Sequence, residues 1–357
     1  MVEPLGSARY ADFLALNGSA AGFSLGEGGT PLQPLDRLAE RFFLPSVLAK
    51  NEAVNPTGSF KDRGTVTAVQ QAAAFGFKAV GTVSTGNMAG STAAYAARAG
   101  MGCVVCVKDG TPPSKILAAG VYGALVVKVR GDYAALFRRS FEIGKALGIG
   151  FLNSVDPWRI EGYKTASYEI FEQLGGRAPD YLFVPTSAGG HLVGLVRGFE
   201  DLKRAGLIRK LPAVVAAQAA GCAPIARAFA RSRDITARFK NPRTIAHAIS
   251  NPDPPAGRIV LRLLAATGGR AAAVSEAGIL KAQRLLAETE GIFCDPASAV
   301  SLAAFMAMAR RGEIPPGARS VLMITGSGLK TIEDLDPRRL KVIESRLDGL
   351  ERALARV

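Results

Sequence analysis

A-V-G-T-V-S-T-G-N-M-A-G-S-T-A-A-Y-A-A-R, Ala79 to Arg98, carries the pattern that repeats through the chain. Ala79 to Ser84 is a short run rich in β-branched residues, and Ser84-Thr85-Gly86-Asn87 is a turn of small polar residues. From Met88 to Ala99 the apolar residues recur at i, i+3, i+4 spacing. That is a strand, a turn and a helix. Further strands are expected at 102–107, 124–129, 150–152, 181–184, 213–218, 272–275 and 320–324, with helical segments between them such as Tyr133 to Leu147. Runs apolar on both faces, alternating with helices, mean parallel sheets covered by helices and hence an α/β chain. At 357 residues the chain is long enough for about two domains.

In doubly wound sheets a ligand lies at the carboxyl ends of the strands, against helix N-termini. Three turns rich in Gly, Ser or Thr follow strands here: Ser84 to Asn87, Thr186 to His191, and Thr325 to Gly328. Three such turns in matching positions point to one shared ligand. The small residues of Thr186 to His191 let backbone N–H groups converge on an anion, and a phosphate is the natural guest. The plainer alternative is a closely packed turn. No G-x-x-x-x-G-K-[ST] motif occurs in the chain.

Composition narrows the classes. The 48% hydrophobic and 21% charged residues are those of a globular protein, and no apolar run reaches the ~18 residues a membrane span needs. Met1 to Tyr10 has neither a basic end nor an apolar stretch, so a cytoplasmic protein is expected. Four cysteines and two histidines offer little for disulfides or a metal, and Cys103 and Cys106, three apart on a strand, point to opposite faces. The net charge of +14 is scattered, apart from a tail (Arg338, Arg339, Lys341, Arg346, Arg352, Arg356) that also carries Glu344, Asp348 and Glu351. A solvated terminal helix fits that tail better than a nucleic-acid arm. Neither a nucleic-acid nor a membrane partner is expected.

In N-P-T-G-S-F-K-D-R-G, Asn55 to Gly64, a turn runs into a helix start. Lys61 falls in the first helical turn, where the macrodipole disfavours an ammonium and lowers its pKa. A neutral amine is what Schiff-base chemistry needs. The plainer alternative is a surface lysine paired with Asp62.

The Asn55–Gly64 segment resembles the lysine motif of threonine synthases, among the fold-type II pyridoxal-phosphate enzymes. G-E-G-G-T-P-L (26–32), S-T-G-N with A-A-Y-A-A-R-A-G-M (84–101), and N-S-V-D-P-W-R-I-E-G-Y-K-T (153–165) are similar to that family's motifs in the same order. So are Q-A-A-G-C-A-P-I (218–225), G-I-F-C-D-P-A-S-A-V-S-L-A (291–303) and T-G-S-G-L-K (325–330). The resemblance implies two open, twisted α/β domains, residues 55–155 and residues 1–54 plus 156–357, with pyridoxal 5′-phosphate between them.

It also implies roles. Lys61 is expected to carry the cofactor as a Schiff base and to move protons. Asn87 is expected on the cofactor's 3′-oxygen; Ser187, Ala188, Gly189, Gly190 and His191 on its phosphate; and Thr325 on the ring nitrogen. Ser84, Thr85, Gly86, Asn87 and Met88 would hold the substrate carboxylate, and Asn153, Ser154, Arg159 and Lys164 a substrate phosphate. The plainer alternative for Arg159 is an ion pair with Asp156 or Glu161. The implied reaction converts O-phosphohomoserine and water to threonine and phosphate, in a homodimeric lyase. The alternative is a sister activity, β-elimination or β-replacement on serine, threonine or O-phosphoserine. The chain departs from the family where G-N-x-G-N becomes S-A-G-G-H, where T-G-H-G becomes T-G-S-G, and where Met88-Ala89 follows Asn87 in place of a small hydroxyl residue.

Overall fold

A computed structural model describes residues 6–16, 22–131 and 133–335. The basic tail, Arg338 to Arg356, lies outside the described residues. In chain order the elements are β1 (Leu32–Pro34), α1 (Asp36–Phe42), β2 (Val47–Asn51), α2 (Lys61–Ala74), β3 (Ala79–Val83) and α3 (Asn87–Arg98). Then come β4 (Gly102–Lys108), α4 (Pro113–Gly120), β5 (Leu125–Val129), α5 (Tyr133–Leu147), β6 (Ile149–Phe151) and α6 (Pro157–Gln173). The remainder is β7 (Tyr181–Pro185), α7 (Gly190–Arg204), β8 (Ala213–Ala219), α8 (Pro224–Ala230), α9 (Gly257–Thr267), β9 (Arg270–Val274), α10 (Glu276–Glu290), α11 (Pro296–Arg310) and β10 (Ser320–Ile324). Among the described residues no helix is long and apolar enough to cross a membrane.

Two sheets form. One has four parallel strands in the order β5-β4-β3-β6. The other has six in the order β1-β2-β10-β7-β8-β9, parallel except for β1 against β2. Strand β10 shows why its residues make a strand. Leu322 and Ile324 join a cluster with Phe183, Val215 and α11, while Val321 and Met323 join Leu182, Val214 and α7 on the other face. A period of two with both faces covered requires an unbroken apolar run, which S-V-L-M-I supplies.

Strand β2 was not expected, because V-L-A-K-N carries a lysine into the sheet. Lys50 is fully buried and tolerable because Glu169 accepts from its ammonium at 2.6 Å. Arg63, also 0% exposed, joins the same cluster: it meets Glu52 at 2.6 Å and Glu169 at 2.6 Å. Burial alone would raise the Glu169 carboxyl, but Arg63 and then Lys50 outweigh it and hold Glu169 at about 2. This cluster locks the first turn of α2 onto α6. At the crossing the backbones nearly touch: a Cβ on Gly162 would stand 2.0 Å from the Arg63 carbonyl oxygen, and one on Gly64 would stand 2.8 Å from the Arg159 oxygen. The glycines of both motifs are therefore packing residues, and they fix where Lys61 stands.

Candidate active site

Lys61 is the first residue of α2, as its motif predicts. It does not pair with Asp62. That carboxylate accepts from the Thr57 hydroxyl at 2.6 Å, the Thr57 N–H at 2.7 Å and Ser91 Oγ at 2.6 Å, pinning the loop before α2 to α3. The Lys61 ammonium instead lies 4.4 Å from the centroid of the Phe60 ring. Burial, and next the Arg159 guanidinium, lower its pKa to about 7. A lysine poised there supplies a neutral amine and returns protons at the same pH.

The other predicted segments converge on Ser59-Phe60-Lys61. The Phe60 N–H donates to the Thr325 carbonyl at 3.0 Å, and Ser59 bridges Gly326. His191 stacks on Phe60 with ring centroids 3.9 Å apart, and Tyr163 meets the same imidazole edge-on. At Gly190 a Cβ would stand 2.5 Å from the Ser154 carbonyl oxygen, so the 187–191 turn and the 153–154 segment lie against each other. Asn87 opens α3, with Ser84, Thr85 and Gly86 leading into it; its amide lies beside the buried Asp295 at the start of α11. Met88, just beyond, is buried.

The Thr186–His191 turn is shaped by a glycine that no other residue could replace. Gly189 has φ +97, and a Cβ there would lie 2.8 Å from Val260 Cγ2 and 2.9 Å from the Ala256 Cβ. Only glycine fits both the backbone and the space. The Ala188 carbonyl accepts from Ala256 N–H at 3.0 Å, and Gln218 braces the Thr186 carbonyl at 3.1 Å. Helix α7 starts at Gly190, so its first N–H groups have no partner within the helix. His191 is buried with neither ring nitrogen hydrogen-bonded, and the buried Ser59 hydroxyl is likewise unpaired. Burial, then Lys61 and Arg63, hold the imidazole well below its usual pKa, so it is neutral. An amine, a glycine-shaped cradle and unpaired buried donors fit a phosphate-bearing aldehyde cofactor. Ser187 to His191 would hold its phosphate, Lys61 its carbonyl carbon, Asn87 its 3′-oxygen and Thr325 its ring nitrogen.

Two of the predicted substrate residues need correcting. Lys164 turns away from the cluster: its ammonium pairs with Glu161 at 2.7 Å and Asp201 at 2.9 Å. Asn153 is fully buried and tied at both ends, accepting from the Val83 N–H at 2.9 Å and donating to Ser140 Oγ at 3.0 Å. Arg159 pairs with neither Asp156, which caps α6 by accepting from two N–H groups, nor Glu161. Its guanidinium, 0% exposed, donates to the Leu152 carbonyl at 2.9 Å, Thr65 Oγ1 at 2.7 Å and Thr92 Oγ1 at 2.7 Å. It is a buried cation, held by neutral groups, beside Lys61.

Sequence reasoning missed Asp295, Ser298 and Lys330. The signal was present: Asp295-Pro296 followed by Ser298 at the head of an apolar run is a helix N-cap pattern. Ser298 Oγ lies 3.0 Å from Thr325 Oγ1, and the Lys330 ammonium donates to the Thr57 carbonyl at 2.7 Å.

Comparison with known proteins agrees with this geometry. A family profile described as "Pyridoxal-phosphate dependent enzyme" matches residues 23–326. Threonine synthase of Methanocaldococcus jannaschii is 39% identical over 91% of this chain and 81% of its own length. The Mycobacterium tuberculosis threonine synthase is 37% identical over 90% and 88%. Among solved structures, Dictyostelium discoideum serine racemase superposes with a TM-score of 0.71 at 24% identity, covering 84% of this chain and 92% of its own. Tomato threonine deaminase isoform 2 gives 0.71 at 20%, covering 91% and 87%, and both likenesses concern the fold. With a lysine at the head of a helix, a glycine cradle facing it and relatives matched over nine-tenths of its length, the chain belongs to the threonine synthase family of pyridoxal-phosphate-dependent enzymes.

Proposed function

We propose that the protein converts O-phosphohomoserine and water to threonine and inorganic phosphate. The observation that carries this is Lys61 at the head of α2, its amine depressed to about 7 by burial and by the Arg159 guanidinium. Pyridoxal phosphate, when bound, supplies an electron sink for the negative charge that develops on the amino acid's carbons. Lys61 then removes and returns protons at the α and β carbons, its pKa matched to neutral pH. The turn from Ser84 to Met88 holds the carboxylate through small side chains and the N–H groups that open α3. Arg159 supplies a fixed positive field for the substrate phosphate, whose desolvation only a buried cation offsets. Ser154, which abuts Gly190, is the neutral donor candidate on the same side.

The second reading, β-elimination or β-replacement on serine, threonine or O-phosphoserine, draws support from Lys164 and Asn153, whose engagement elsewhere leaves fewer groups for a substrate phosphate. Release of inorganic phosphate decides between them. The proposal expects faster release from O-phosphohomoserine than from O-phosphoserine, with threonine formed in equal amount. Faster release from O-phosphoserine, or pyruvate from serine at a higher rate, overturns it.

A further inference from the structure

Asp295 is a buried carboxylate that no step above uses. Its Oδ1 accepts from the Ser298 N–H at 2.7 Å and from Ser298 Oγ at 2.6 Å. Oδ2 lies on the side of Gly326 where Asn87 Nδ2 also lies: a Cβ on Gly326 would be 2.6 Å from the first and 3.1 Å from the second. Burial raises the Asp295 carboxyl above its ordinary pKa, while Ser298, then Lys330 and the neighbouring Asn87 amide, draw it back toward the ionised form. Asn87 opens α3 of the four-stranded sheet and Asp295 caps α11 of the six-stranded one, so this contact spans the two sheets. On the Ser298 side the contact continues to Thr325 Oγ1.

A carboxylate only accepts, so it dictates which end of a carboxamide faces it. With Asp295 on one side, the Asn87 nitrogen must point toward α11, and its second N–H is left to point elsewhere. We propose that Asp295 is a positioning residue: by accepting from Asn87 it fixes that second N–H as the donor to the 3′-oxygen of pyridoxal phosphate. The inference rests on the assignment of Asn87 to that oxygen. A donor there stabilises negative charge on the oxygen; an amide turned round presents its own oxygen and repels it.

The Asp295→Asn variant makes this testable, because asparagine caps a helix as well as aspartate and α11 keeps its start. Its amide nitrogen would then face Asn87 and require that residue to turn round. The readouts are the absorption of the cofactor attached to Lys61, cofactor affinity by titration of the apo-protein, and the melting temperature of the apo-protein. Asn87→Ala and Asp295→Asn are both expected to weaken the long-wavelength band and to lower cofactor affinity about tenfold, the scale of one charge-assisted hydrogen bond. The exchanged pair Asn87→Asp with Asp295→Asn restores an amide–carboxylate bond between the sheets. It should recover the melting temperature but not the band or the affinity, since a carboxylate now faces the 3′-oxygen. Recovery of all three by the exchange reduces Asp295 to a clasp and overturns the inference. So does Asp295→Asn with an unchanged band while Asn87→Ala alters it. An unchanged band in Asn87→Ala overturns the assignment of Asn87 and this inference together, whatever the substrate proves to be.

Discussion

The Arg63 carbonyl oxygen occupies the position a side chain on Gly162 would need, 2.0 Å from its ideal Cβ. Helices α2 and α6 therefore cross at backbone contact, and Lys61, one half-turn before Arg63, is placed by that crossing. Gly162→Ala forces the two apart. A loss of about 3 kcal/mol is expected, the upper part of the range for overpacking a filled contact. Because Lys61 moves with α2, cofactor affinity should fall as well. Calorimetry of the apo-protein and a cofactor titration check both; an alanine that costs neither stability nor affinity contradicts the crossing as the device that sets Lys61.

The depressed Lys61 amine has two consequences with defined signs. Attachment of pyridoxal phosphate to the apo-protein should quicken as pH rises through about 7 and then level off, as the neutral amine becomes the main form. The folded protein also releases this proton far below the ordinary lysine value of 10.5, so between about 7 and 10.5 it binds fewer protons than the unfolded chain. Stability of the apo-fold should therefore rise with pH across that window. Lys61→Met should remove the increment and abolish cofactor attachment. Stopped-flow absorbance and denaturant titrations at several pH values measure these effects. A lysine that titrates near 10 fails both.

At the cofactor's phosphate, backbone shape should matter more than the imidazole. Gly189→Val meets Val260 and Ala256 well inside contact distance in a left-handed backbone, so it should cut cofactor affinity by about a hundredfold or more. His191→Phe keeps the stack on Phe60 and loses only the ring nitrogens, and its affinity should drop by about tenfold or less, the scale of one hydrogen bond. Fluorescence titration ranks the two. The opposite order assigns the phosphate to the histidine.

Most of the scaffold was legible because β-rich runs and i, i+3, i+4 helices have different periods, and the strand ends carried the small-residue turns. Strand β2 was not, since a lysine in a buried strand makes sense only once Glu169, over a hundred residues away in sequence, lies beside it. The helix-start position of Lys61 was legible, but position alone favoured an ordinary surface lysine. It was the resemblance of the Asn55–Gly64 segment that singled the residue out. Lys164 was misplaced by treating a motif as a patch: Arg159 and Lys164 are five residues apart, which on a helix is about 140° round the axis. One faces α2 and the other Asp201. Asp295 escaped notice because a buried cap and a buried site residue carry the same sequence signal.

Arg159 offers the sharpest separation of the two activities. Its three donor contacts, to Leu152, Thr65 and Thr92, are all to neutral groups, so its charge is not cancelled by any of them. That charge acts on Lys61, whose pKa it helps to lower, and in the proposed reaction on the substrate phosphate. Arg159→Lys keeps the cation and loses the fork that ties β6, α2 and α3 together; Arg159→Met removes the cation and leaves two hydroxyls and a carbonyl without their donor. Both variants should lower the melting temperature, because buried polar groups left unpaired cost about 1–3 kcal/mol each. Only Arg159→Met should move the pH dependence of cofactor attachment to higher pH, the direction expected when a neighbouring positive charge goes. The KM for O-phosphohomoserine should rise sharply in Arg159→Met and less in Arg159→Lys, while the KM for serine or threonine changes little in either. Equal loss on phosphorylated and unphosphorylated amino acids would leave Arg159 a structural tie with an electrostatic effect on Lys61 alone. The weight would then pass to the β-elimination reading.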